Sequence, residues 1–150
     1  MIHEQSFGAV VYRKEGPKIL YVLLLYERNG RKHWDFSKGH RELGESPQEA
    51  VRREIKEETG LTQLDFASGF EEKIHFMFRN AGELVSKDAT FFIARTSEEK
   101  LTLSSEHADI QWLSYEEALE RLTFKNSKDV LQKAHVFITS GKTTFQQTLM

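Results

Sequence analysis

Three carboxylates, Glu54, Glu57 and Glu58, stand at i, i+3 and i+4 in the stretch REIKEETGL that runs from Arg53 to Leu61. At a helical step of about 100° per residue they share one sector of a helix. Like charges at this spacing repel and weaken a helix. The ordinary explanation would be a solvated acidic face offset by Arg52, Arg53 and Lys56. Val51 and Ile55, however, mark the buried edge of the same helix, directly beside the glutamates. At least one carboxylate should therefore be partly buried. A partly buried carboxylate needs a cation, and hard oxygen donors suit Mg²⁺ or Mn²⁺. The chain has no cysteine, which excludes a thiolate zinc site.

The helix that must position these acids carries its own start and stop signals. Ser46 suits the N-cap, Pro47 the first helical position, and Glu49 completes a capping box. Gly60 supplies a C-terminal stop. Ala50 lies one turn before Glu54 on the acidic sector and leaves room there, while Glu49, Arg52 and Lys56 face solvent.

Before this helix, residues 6–14 (SFGAVVYRK) and 19–27 (ILYVLLLYE) read as strands, the second apolar enough to be buried on both faces. Residues 33–38 then lead into Gly39. After the helix, strands are predicted over residues 63–77 and 89–96, separated by a polar loop at 79–87, with a short strand at 106–113. Ser114 caps a helix carrying Ala118, Leu119 and Leu122. A last helix over 127–139 places Val130, Leu131, Ala134, Phe137 and Ile138 on one face. The polar tail, residues 140–150, is expected to be unordered. Strands on both sides of one central helix, with helices at the end, predict an α/β/α sandwich.

Composition narrows the function classes. With 39% hydrophobic and 29% charged residues, the 150-residue chain fits one globular domain, residues 1–150. A net charge of −2 gives no basic footprint for duplex nucleic acid. Residues 1–5 lack the layout of a secretion signal, and the longest apolar run, residues 19–26, is too short to cross a bilayer. The expectation is a soluble, cytoplasmic monomer that meets no membrane.

Gly39, Glu45, Arg53, Glu54, Ile55, Glu57, Glu58, Gly60 and Leu61 match the pattern GX5EX7REUXEEXGU, with U aliphatic, at every defined position. The chain thus resembles the Nudix hydrolases, which use divalent metal to cleave a nucleoside diphosphate linked to some other moiety. The resemblance implies the Nudix fold, an α/β/α sandwich with a mixed central sheet, and a small nucleotide as substrate. It implies that Gly39 offers its backbone carbonyl to Mg²⁺ or Mn²⁺ together with Glu54, Glu57 and Glu58. Glu57 is ligand or base, and Glu106 is a further base or ligand. Arg53 is expected to pair with Glu45 or with a ligand carboxylate and fix its orientation; a surface pair with Glu57 is the plainer alternative.

His33-Trp34, Lys38-Gly39-His40, Lys87, Ser105-Glu106-His107, Trp112-Leu113, Glu116-Glu117-Ala118 and Ala134-His135-Val136-Phe137 form a second layer of likeness, to the asymmetrical bis(5′-nucleosyl)-tetraphosphatase group of that family. Ser37 stands where that group usually has Pro, and Phe76 where it commonly has Tyr. The likeness implies cleavage of diadenosine tetraphosphate to ATP and AMP. Lys38 and Lys87 would hold phosphates, and His33, His40 and His107 would donate to them. Phe76 and Phe137 would sandwich the base, although Phe137 also suits the apolar face of the last helix. The competing expectations are an RNA 5′-end pyrophosphohydrolase, a nucleoside triphosphate pyrophosphohydrolase, and a nucleotide sensor without catalysis.

Overall fold

The first strand sets the pattern for the molecule. Along β1 (Ile2–Glu15), Val10 and Tyr12 point to one core and Ala9 and Val11 to another. Such strict alternation between two apolar faces requires cover on both. The computed structural model describes residues 1–146. In it β2 (Lys18–Arg28), β3 (Arg31–Asp35) and β4 (Ser37–Gly39) precede α1 (Pro47–Thr59). After α1 come β5 (Asp65–Phe66), β6 (Glu72–Asn80), β7 (Glu83–Arg95) and β8 (Asp109–Ser114). Two helices follow, α2 (Tyr115–Arg121) and α3 (Lys125–Thr139).

The eight strands form one mixed sheet with the path β3-β2-β1-β7-β5. β1 and β7 run parallel from Ile2↔Val85 to Tyr12↔Arg95, and the other pairings are antiparallel. On one face Val51, Ile55 and Leu61 close a core with Val11, Val22 and Phe92. On the other, Leu122 and the α3 residues Val130, Leu131 and Ala134 pack on Tyr21, Leu23 and Phe91. This is the α/β/α sandwich, with α1 alone on its face.

α1 is held where the acids need it. Ser46 accepts from Glu49 N–H at 3.1 Å and Glu49 accepts from Ser46 N–H at 2.9 Å, a complete capping box. Gly60 ends the helix with φ of 81°, a left-handed conformation that costs other L-residues about 1–2 kcal/mol. Burying Val51 and Ile55 contributes about 1.5–3 kcal/mol each, against about 0.2–0.5 kcal/mol for each like-charge pair on the acidic sector. Apolar anchoring therefore wins over repulsion.

Three expectations need correction. The polar stretch 79–87 is not a loop: β6 and β7 pair from Glu72↔Phe91 to Asn80↔Glu83 across a turn at Ala81-Gly82, both at positive φ. Residues 79–83 are exposed, so their polarity reflects exposure and not the absence of a ladder. The segment 63–77 is also broken. β5 covers only two residues before a turn at Gly69. Finally, the tail is not unordered as far as Gln146. Phe145 bridges to Ala67, Gln146 N–H donates to Phe66 O at 2.8 Å, and the Arg95 guanidinium sits 3.7 Å from the Phe145 ring centre. A single aromatic and the open edge of β5 are enough to dock it. Residues 147–150 lie outside the described residues. No described helix is long and apolar enough to cross a membrane.

Candidate active site

The three helix acids meet different surroundings. Glu58 lies innermost, its side chain 7% exposed. Its Oε1 accepts from Ser37 Oγ at 2.6 Å, and its Oε2 lies 2.8 Å from His107 Nε2 and 3.3 Å from the Tyr26 hydroxyl. Glu54 stands one turn earlier against Gly39, so close that a Cβ on residue 39 would overlap its carboxylate. Only glycine allows β4 and α1 to meet this way. Burial raises the pKa of Glu54; hydrogen bonding to Arg53 opposes the shift, and the charges of Glu58 and Glu57 reinforce it. Glu57 is 57% exposed.

Arg53 ties the acids to the loop that precedes the helix. Its Nε and Nη2 bind Glu45 in a two-pronged contact at 2.8 and 3.0 Å, its Nη1 reaches Glu54 at 2.9 Å, and Nη2 also donates to His40 O at 2.9 Å. Glu57 lies 3.4 Å from Nη1. The alternatives left open by the sequence are thus all realised by one guanidinium. The fork holds the Glu45 carboxyl below the usual carboxylate range.

On the other side of Gly39 opens a cavity of about 610 Å³. Lys38, Lys87, His33 and His40 line it, with Phe76, Phe78 and Phe124. Lys38 Nζ binds the buried Asp35 carboxylate at 2.9 Å and lies 5.7 Å from the Phe76 ring centre. Asp35 in turn accepts from Ser127 Oγ at 3.0 Å and from its neighbour Phe36 N–H at 2.8 Å. This network fixes Lys38 at the cavity wall. Burial, and then the Lys38 charge, lower the pKa of Lys87. His33 stacks on Tyr26 at 5.1 Å between ring centres, and burial lowers its pKa.

Three of the sequence-derived candidates, Phe137, Glu106 and His107, do not line the cavity. Phe137 packs edge-on to Phe70 at 5.5 Å against the α3 core and does not line the cavity. Helical periodicity placed it on the apolar face of α3, and that face is committed to the sheet. Phe124, at the start of α3 and 48% exposed, takes the cavity position instead. Glu106 is exposed, and its carboxylate makes no hydrogen bond or ion pair among the described residues. The residue that turns inward from that loop is His107, with a side chain 4% exposed. It reaches Glu58 instead of the cavity. The sequence reading also missed Tyr26, Asp35, Phe78 and Phe124. Asp35, three residues before Lys38 and between two aromatics, was the most readable of these, since a buried acid there requires a nearby cation.

Among the described residues no three His, Asp or Glu side chains stand ready-made as a metal cluster. The donor chemistry nevertheless fits a hard divalent ion: carboxylate oxygens from one helical sector, and a glycine whose missing side chain brings a strand backbone against them. Arg53 supplies the positive charge to Glu54 and Glu57 in this structure.

The geometry agrees with known proteins. A family model for the NUDIX domain matches residues 2–134. The chain is 32% identical over 145 residues to the Mus musculus bis(5′-nucleosyl)-tetraphosphatase [asymmetrical], covering 91% of this chain and 96% of the mouse protein. The Sus scrofa protein of the same name is 34% identical over the same shares. Among solved structures, a binary complex of C. elegans Ap4A hydrolase superposes with a TM-score of 0.79 at 28% identity, covering 91% of this chain and 98% of that one. Helix acids, box glycine, mixed sheet and relatives agree, and the chain belongs to the Nudix family of pyrophosphohydrolases.

Proposed function

We propose that this protein hydrolyses a phosphoanhydride bond in dinucleoside polyphosphates, diadenosine tetraphosphate to ATP and AMP above all. The observation that carries this reading is a cavity that combines lysines and aromatic rings and ends at Gly39, against the carboxylates of α1. The names of the mouse, pig and nematode relatives support the same substrate class.

Each residue has a definite task. Glu54, Glu57, Glu58 and the Gly39 carbonyl would hold Mg²⁺ or Mn²⁺, which would neutralise phosphate charge and activate water. Arg53, fixed by Glu45, keeps Glu54 turned toward Gly39. Lys38 and Lys87 hold the phosphates, with His33 and His40 donating alongside. Phe124 takes the clamp role first expected of Phe137, lining the same cavity as Phe76 and Phe78. Glu106 has no task here. The proton leaving the attacking water goes to one of these neighbouring carboxylates. A phosphate chain anchored at one nucleoside reaches the acids at a single bridging position, and a misplacement of about 1 Å can cost 10²-fold in rate.

Incubation of diadenosine tetraphosphate with Mg²⁺ should give ATP and AMP in equal amounts on ion exchange. ADP as the main product would mean symmetrical cleavage and would overturn the substrate reading. Inert diadenosine tetraphosphate beside turnover of 5′-triphosphorylated RNA would favour the RNA alternative.

Phe124→Ala should raise KM for diadenosine tetraphosphate about 5- to 150-fold, the equivalent of 1–3 kcal/mol of base stacking, with little loss of stability. Phe137→Ala should do the reverse, costing up to about 3 kcal/mol of stability with KM unchanged. Equal KM effects in both variants would contradict the clamp placement.

Lys87 binds phosphate only as an ammonium, and its pKa is lowered by burial, so affinity should fall as pH rises through that lowered pKa, below its ordinary 10.5. Lys87→Arg, charged throughout, should remove this alkaline limb from the KM profile. Persistence of the limb in Lys87→Arg would assign it to another group.

A further inference from the structure

We infer that Ser37 and His107 are positioning residues that orient Glu58 for the divalent ion, an inference that rests on the metal-binding role proposed for Glu58. Glu58 is the most deeply buried acid of α1, and two elements distant in sequence supply its hydrogen bonds. Ser37, fully buried on β4, offers the shortest contact, 2.6 Å to Oε1. A hydrogen bond of that length to an ionised oxygen is of the strong, charge-assisted kind.

His107 arrives from the loop before β8. A carboxylate oxygen can only accept, so the Nε2 that lies 2.8 Å from Oε2 carries the proton. Its Nδ1 is buried without a hydrogen-bond partner among the described residues. Among the described residues Glu58 is thus the one polar contact of this imidazole, and its ring is held edge-on to Tyr26 at 4.7 Å between centres. Tyr26 adds less. Its hydroxyl has one proton, and Phe36 O at 2.9 Å lies closer than Glu58 at 3.3 Å.

Counting acceptor sites gives the consequence. An ionised carboxylate has about four. Ser37 occupies one on Oε1 and His107 one on Oε2, since the single Tyr26 proton goes first to Phe36 O. Each oxygen thus keeps a site for the ion, while one donor from β4 and one from the loop before β8 fix the orientation of the Glu58 carboxylate. Such outer partners of a ligating carboxylate typically contribute 10- to 100-fold in metal affinity or activity. Ser37 belongs to this chain in particular, since a Pro at that position would offer no hydroxyl.

Mn²⁺ binding to the substrate-free protein, followed by electron paramagnetic resonance, tests the inference beside thermal melts and steady-state kinetics. Ser37→Ala and His107→Leu should each weaken Mn²⁺ about 10- to 100-fold. His107→Gln, whose amide reaches toward the Nε2 position, should recover most of the loss. At saturating Mn²⁺ the KM for diadenosine tetraphosphate should stay constant while kcat falls. Lowered melting temperatures with wild-type Mn²⁺ affinity would make both residues purely structural and overturn the inference. Wild-type protein that binds no Mn²⁺ would overturn the metal site as well.

Discussion

The structure depends on one constraint: ionised carboxylates must be kept on the flank of a helix that is pressed against a sheet. Burial favours the neutral acid, and crowding of like charges adds to that preference. The fold answers with a different device for each group. Glu54 has Arg53 and the bare backbone of Gly39, Glu58 has hydroxyl and imidazole donors, and Glu57 keeps its water. No single partner could serve all three.

From that constraint the arrangement of the surrounding elements follows. α1 can tolerate its acidic sector because Val51 and Ile55 anchor the adjacent edge and because both helix ends are capped. The short β4 must lie directly against it, which requires glycine at residue 39. The segment leading there carries Asp35 and Lys38, so the same few residues that approach the acids also place a cation at the wall of the cavity. On the proposed reading, an anionic substrate would meet the lysines that line the cavity and the carboxylates beside Gly39, and a bound divalent ion would reconcile the two.

Much of this was legible because local signals and global fold agree. The capping box, the Gly60 stop and the acidic sector of α1 depend on residues close in sequence, and each appears as read. Ala134 and Ile138 likewise sit in the core as periodicity demanded. Contacts between distant segments were not legible. Phe137 and Phe124 are both aromatic residues near α3, and only the packing of α3 on the sheet decides which one reaches the cavity. In the loop before β8, Glu106 and His107 are neighbours pointing opposite ways, and alternation alone does not say which turns inward. Exposed polar strand residues looked like a loop, and the docking of Phe145 depends on an edge strand of two residues.

The central claim, that the junction of Gly39 with the acids of α1 is the metal and phosphate centre, is tested most directly by paramagnetic broadening. Substoichiometric Mn²⁺ added to isotope-labelled protein should broaden the amide resonances of Lys38, Gly39, Glu54 and Glu58 first, leaving those of α3 sharp. Broadening centred elsewhere, for instance on the His75–Asp88 pair across β6 and β7, would contradict it.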